Sequence, residues 1–198
     1  MNTTLNRSII ILFIIFSNYN SCFSEIEMDN GMSIRSEFIL GFSYNATKLT
    51  QSTDANLSFN PNVRIIWDTD TRLNIGIEAA LLPVSRTYLE NVNTEFGQTD
   101  FLVSINTMPL MLIFNMNFEK LDFYGGAGIS STLSFMEAFS EKSGSNTLNG
   151  SYMFAASYSN EISDGIDLGI ESGIYYITDI DVFIQKISIK MITDIISW

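Results

Sequence analysis

Hydrophobic and polar residues alternate with period two along most of the chain, the pattern of strands with one apolar face. SIRSEFILGFSYN (33–45) sets Ile34, Phe38, Leu40, Phe42 and Tyr44 on one face. LSFNPNVRIIW (57–67) sets Leu57, Phe59, Val63, Ile65 and Trp67 against Ser58, Asn60, Asn62 and Arg64. RLNIGIEAALLP (72–83) aligns Leu73, Ile75, Ile77 and Leu81 against Asn74, Gly76 and Glu78. FLVSINTMPLMLIFNM (101–116) is apolar on both faces, so its parity stays open; Pro109 has no N–H for a ladder and suggests a bulge. LDFYGGAGISSTLSF (121–135), SYMFAASYS (151–159), GIDLGIESGIYY (165–176) and VFIQKISIKM (182–191) complete a set of eight. The tail ITDIISW extends the last strand beyond a bulge near Thr193.

The connections add a second regularity. NATKLTQSTDAN, SRTYLENVNTEFGQTD and MEAFSEKSGSNTLNG are long; DTDT, NFEK, NEISD and ITDID are short. Up to the last, long and short alternate. An up-and-down meander with its long loops at one end has this form, and the long-loop, short-turn asymmetry with an even strand count marks membrane barrels. The expected fold is therefore all-β: an eight-stranded antiparallel up-and-down transmembrane β-barrel.

The apolar face then looks either into a core, as in a soluble lipocalin-like carrier, or out into lipid. Charge decides between them. On the polar face stand Arg35, Glu37, Arg64, Glu78, Asp167, Glu171, Lys186 and Lys190, four bases and four acids, in a chain of net charge −12. Neutral balance suits an enclosed space, where an unpaired charge is costly. Aromatics of the apolar face gather at strand ends: Tyr44, Phe59, Phe135, Tyr152 and Tyr176 at the long-loop end, Trp67, Phe123 and Tyr158 at the short-turn end. Two girdles around an aliphatic band fit the two interfaces of a bilayer. The apolar face is read as the lipid face.

The N-terminus points the same way. Arg7, an apolar run from Ile9 to Phe16, and small residues at Cys22 and Ser24 describe a cleavable signal peptide over 1–24, leaving 25–198 as the barrel domain. The run is too short to span a membrane as a helix, which takes about 20 apolar residues. Tyr19 stands where a lipoprotein signal carries a Leu-like residue, so Cys22 is not read as a lipid anchor.

Composition removes several function classes. The 198 residues contain no histidine, which takes away Ser-His-Asp and Cys-His catalysis and His-ligated metals. The acidic balance and absence of a Lys/Arg cluster argue against nucleic acid. GGAG (125–128) lacks the following Lys-Ser/Thr of a phosphate loop, and DTDT (68–71) lacks the Gly and distal Glu of a calcium loop. No catalytic residue, metal site or cofactor is expected.

The signal peptide, the strand and loop pattern, the NPNVRIIWDTDTRLNIGIEAALLP hairpin, the INTMPLMLIF strand and the terminal Trp198 together resemble the small outer-membrane β-barrels of Gram-negative bacteria, the OmpA-like and opacity-protein-like group, over about residues 30–198. The resemblance implies an integral place in the bacterial outer membrane, with membrane lipid as surroundings. It also implies that Trp198 belongs to a signal read by the barrel-assembly machinery; Asp194 departs from the alternation such a signal shows. Members of this group include anchors, adhesins, narrow pores and a few enzymes, so the resemblance speaks for place more than for activity.

LNIGIE (73–78) and IDLGIE (166–171) repeat one pattern and put Glu78 and Glu171 on the same face of two rising strands. Paired lumen acids would suit an ion path. The plainer reading is that they pair with Arg35, Arg64, Lys186 and Lys190 to fill a barrel too narrow for a channel. The expected protein is non-enzymatic, with a structural or surface-interaction role and an unknown extracellular partner met through the long loops. A narrow ion-conducting pore and a soluble periplasmic carrier are the alternatives.

Overall fold

Ile34, Phe38, Leu40, Phe42 and Tyr44 cannot all be covered by one strand's neighbours, and β1 (Ser33–Asn45) does not try to cover them. It pairs on one side with β2 (Leu57–Asp68) and on the other with β9 (Val182–Ser197). The computed structural model describes residues 33–45, 57–69, 72–95, 97–139, 141–163 and 165–197. The expected signal peptide, the 46–56 connection and Trp198 lie outside the described residues.

The remaining strands are β3 (Leu73–Ala80), β4 (Leu82–Thr94), β5 (Gly97–Phe118), β6 (Leu121–Ala138), β7 (Glu141–Ser163) and β8 (Ile166–Ile177). Every pairing is antiparallel between chain neighbours, except the β1–β9 seam and the β3–β5 contact. β3 and β4 are two lengths of one strand: β5 pairs with β3 through Leu110–Met116 and with β4 through Gly97–Thr107. The sheet thus closes as eight strands. A row of paired residues begun at Glu37 passes Arg64, Glu78, Met111, Gly128, Ser151 and Ile177 and reaches Val182, two residues before Ile184, the partner of Asn45 at the end of β1. That is a stagger of about ten residues, a steep tilt of the kind that closes a small barrel around a filled interior.

The parity is unambiguous. Leu40, Phe59, Ile65, Ile77, Leu112, Ile129, Ile170, Ile187 and Ile189 stand outward and exposed, with Ile187 at 72%. Glu37, Arg64, Glu78 and Lys190 stand inward at 0%. A soluble protein does not expose a continuous aliphatic belt of this size. β5 takes the parity its sequence left open: Met108, Leu110, Leu112, Phe114 and Met116 face out, Thr107, Pro109, Met111, Ile113 and Asn115 face in.

Three expectations are corrected. SRTYLENVNTEFGQTD and MEAFSEKSGSNTLNG are largely strand rather than loop: β4–β5 and β6–β7 run on past the belt, with turns at Glu95 and Phe139. Strands of 22 and 23 residues in β5 and β7 far exceed the roughly 10 that cross a bilayer. Their upper parts form a four-stranded sheet, β4–β5–β6–β7, beyond the barrel; we call it the crown. Phe135 consequently leaves the girdle. It pairs with Ser104 and Gly144 in the crown, about eight residues of β6 above Ala127, the partner of Tyr152. Finally, Pro109 makes no bulge: the register runs unchanged through Met108–Ser131 and Pro109–Ser130. It lies instead beside the gap between β3 and β4, where the ladder is interrupted and Leu81 N–H bonds Pro61 O at 3.0 Å. The bulge in β9 is at Ile195, between Ile34–Ile196 and Arg35–Asp194.

The other seven expected girdle residues lie toward the two edges of the belt, with Phe38, Phe114 and Phe154 exposed between them. Tyr44 sits beside Leu57, Phe59 beside Phe42, and Tyr152 beside Tyr176, at the crown end. Trp67, Phe123 and Tyr158 sit at the opposite end, Tyr158 beside Leu121.

Candidate functional site

Eight strands leave room inside mainly for side chains, and here the space is filled in two layers. The layer toward the short turns is charged. Arg64, on β2, is its centre: Nε pairs with Glu78, and Nη1 pairs with Glu171 and, at 3.2 Å, with Glu37, while Nη2 donates to Glu171 Oε1 at 3.0 Å. Its guanidinium carbon lies 4.2 Å from the Tyr124 ring centroid. A planar fork of five donors is the cation suited to three carboxylates at once.

Two lysines on β9 complete the balance. Lys186 Nζ stands 2.9 Å from Glu171 Oε1 and donates to the Tyr175 hydroxyl at 3.1 Å. Lys190 Nζ donates to Asp122 Oδ2 at 3.0 Å, Tyr124 Oη at 2.8 Å and Ser157 Oγ at 2.7 Å. Tyr124 in turn donates to Glu37 Oε1 at 2.8 Å, and Tyr175 donates to Glu78. Arg35, near the short-turn rim, reaches Asn115 Oδ1 at 2.9 Å, Asp68 at 3.3 Å and Glu37 at 3.6 Å. Each charge has partners of opposite sign, which is what makes burial at this depth tolerable.

The second layer, toward the crown, is mixed, with Thr107, Ser130, Thr132 and Ser151 buried beside aliphatic side chains. Leu82 and Val84 of β4, Ile177 of β8, and Val182 and Ile184 of β9 are fully buried inside the barrel. Asn45 Nδ2 bonds Val84 O at 2.8 Å and ties the end of β1 to this lid. The interior is thus a charged layer under a mixed one, with the side chains of both layers buried.

The structure brings together seven of the eight inward charges singled out in the sequence: Arg35, Glu37, Arg64, Glu78, Glu171, Lys186 and Lys190. Asp167 is not among them. It lies half-buried at the short-turn end of β8, and no ion pair joins it to the network among the described residues. Asp122 takes its place, paired with Lys190 and within 4.0 Å of Arg35. Tyr124, Tyr175 and Asn115 join the network without being singled out in the sequence, whereas Asn62 and Asn74 stand on the polar face where alternation puts them. Strand parity places Tyr124, Tyr175 and Asn115 inward too, so alternation was the signal that could have found them.

The crown tip has its own geometry. Asp100 accepts from the Asn91 backbone N–H at 2.9 Å and from the Tyr88 hydroxyl at 3.0 Å. Asn91 itself is left-handed, at φ 53°, in the irregular stretch between Leu89 and Val92. The two donors, the backbone N–H first, hold the Asp100 carboxyl below its ordinary range, and the hydrogen bond to Asp100 holds the Tyr88 hydroxyl above its own. Among the described residues no group of three or more acidic or thiol side chains is placed to hold a metal ion.

No family profile and no curated sequence matches the chain. Solved structures do. A major outer membrane protein of Thermus thermophilus superposes with a TM-score of 0.52 at 6% identity, covering 84% of this chain and 100% of that one. Neisserial surface protein A gives 0.45 at 12% identity, covering 83% and 97%. The attachment invasion locus protein of Yersinia pestis, crystallised with a heparin analogue, gives 0.47 at 10%, covering 86% and 100%. At such identities the likeness concerns the fold, which is that of a small outer-membrane β-barrel.

Proposed function

We propose that this chain is an integral, non-enzymatic protein of a bacterial outer membrane, whose sealed barrel anchors the crown as an extracellular recognition surface. The observation that carries this reading is the continuation of β4 to β7 beyond the apolar belt as ordered sheet rather than loop. Supporting it, the lumen charges pair with one another, and Leu82, Val84, Ile177, Val182 and Ile184 are buried above them. Ligand recognition is commonly placed on segments held out by a rigid scaffold.

The test separates the two halves of the proposal. In planar bilayers the purified protein gives no conductance steps. A version with both crown hairpins cut back to short turns near Val84 and Ser130 still folds, shown by heat-modifiable migration and a β-sheet spectrum, while cells displaying it lose surface attachment. Channel steps, or attachment that survives removal of the crown, would sink this reading.

A further inference from the structure

The crown presents an outer face on which Tyr88 is exposed while its neighbour Thr87 is buried. The register sets Tyr88 of β4, Leu102 of β5 and Glu137 of β6 abreast on that face. Asp100 stands two residues along β5 from Leu102, on the same face by alternation, and Phe139 two residues beyond Glu137 at the turn. Together with Thr99 these residues line a cavity of about 400 Å³. Aromatic and aliphatic walls with a few convergent polar groups are the usual make-up of a small-molecule site.

Neither ring stands there by default. Phe139 sits at φ 50°, in the left-handed region where glycine is at ease and a bulky side chain is strained. Its aromatic side chain is kept against the preference of its own backbone, and it stands about half-exposed at the cavity. Tyr88, similarly exposed, is held by its hydroxyl, which donates to Asp100 Oδ2 at 3.0 Å. Asn91 N–H donates to Asp100 Oδ1 at 2.9 Å, and Phe139 N–H donates to Thr99 Oγ1 at 3.1 Å. The walls are therefore set before a ligand arrives, which spares binding the cost of ordering them.

The chemistry of the lining selects the ligand. Ionised Asp100 and Glu137 are acceptors only, and two donors leave part of the Asp100 carboxylate's capacity open. Glu137 has Lys142 at 3.3 Å, an exposed pair that a competing donor displaces easily. On the same face Glu90, Asp100 and Glu137 stand against Arg86 and Lys142, a near balance that turns away an anion without calling for a strong cation. An uncharged sugar ring meets each demand: the hydroxyls around its edge donate, and its C–H face lies against the electron-rich face of an aromatic ring. We infer that the cavity at the crown tip holds one ring of an uncharged sugar, packed against Tyr88 and Phe139 with its hydroxyls donating to Asp100 and Glu137. The inference deepens the reading of the crown as a recognition surface and rests on it.

The experiment uses the full chain in lipid nanodiscs. The probes are the methyl glycosides of glucose, galactose, mannose and N-acetylglucosamine, with glucuronate and choline as charged counterparts. Saturation-transfer NMR is expected to show at least one methyl glycoside bound, with the strongest transfer to the C–H groups of one ring face. The same glycoside moves the Asn91 amide resonance. Phe139→Gly keeps the left-handed turn and removes the ring; it weakens binding about tenfold, as loss of an aromatic anchor does. Glu137→Ala leaves the Tyr88–Asp100–Asn91 contacts in place and also weakens binding about tenfold, through loss of a charged acceptor. Silence from every methyl glycoside, tighter binding of glucuronate or choline, or binding unchanged by Phe139→Gly or by Glu137→Ala overturns the inference. Such a failure, with attachment still lost when the crown is cut back, removes the sugar and leaves the recognition role standing. A glycoside that binds the crown-less barrel equally well removes the site, and attachment that survives loss of the crown removes the recognition role itself.

Discussion

Arg64 on β2 and Tyr124 on β6 meet across the barrel interior, guanidinium over ring, and both donate to Glu37 on β1. Three strands that are not all neighbours are thereby joined through one carboxylate. Backbone pairing closes this barrel around its wall; the Arg64–Tyr124–Glu37 contact braces it through its middle. A cation over a ring in a dry site is stronger than the same pair in water.

Removing the brace from one side tests this. Arg64→Leu leaves Glu37, Glu78 and Glu171 without their shared cation and is expected to cost about 3–5 kcal/mol in urea unfolding from lipid vesicles. Adding Glu78→Gln to Arg64→Leu recovers part of the loss. Additive losses in the double variant would show that the charges are not coupled.

The exchange of Asp167 for Asp122 is checked by a matched pair. Asp122→Ala strands Lys190 and is expected to cost about 3 kcal/mol, whereas Asp167→Ala stays within about 0.5 kcal/mol of the parent. Chemical unfolding of both variants under one condition settles the assignment.

Glycines on β6 are unequal in a way that urea midpoints read. A Cβ at Gly128 would collide with Leu110 O, main chain that cannot step aside, while one at Gly125 meets nothing within 4 Å. Gly128→Ala is expected to cost about 2–3 kcal/mol through forced separation of β5 and β6. Gly125→Ala is neutral or mildly stabilising, since glycine in a strand loses more freedom on folding.

The crown tip carries a pH signature. Asp100 is more acidic folded than free, so its contribution is complete above the free carboxyl range near pH 4 and disappears as pH falls through its lower folded value. The Asn91 amide resonance in nanodiscs is expected to hold its position from neutral pH down to about 4 and to move below it. In Asp100→Asn that step is absent, and the Tyr88 hydroxyl titrates at lower pH than in the parent.

Alternation alone made the wall of the barrel legible, because a strand between lipid and a charged interior has the sharpest contrast two faces can have. Where contrast fades, so does legibility. β5 reads apolar on both faces because Met111 and Ile113 belong to the interior while Leu110 and Leu112 meet lipid. The crown reads as loop because SGSNTLN is a poor strand former on its own and SRTYLEN lacks a clear apolar–polar alternation, so their pairing is set by the partner strand rather than by local preference. Asp122 and Tyr124 stand beside the outward Leu121 and Phe123, and only the parity of β6 turns them into interior residues. Asp167 erred the other way: it has the right parity but sits too close to the rim for Arg64 or either lysine to reach.

The seam between β1 and β9 has a consequence in time. It joins the first described strand to the last, so the ring cannot shut until the end of the chain has arrived. Glu37, waiting on β1, meets Lys190 of β9 only at that moment. Until then the acids and bases of the future interior have water for company, and the latch that excludes it is the final event in the life of the folding chain rather than the first.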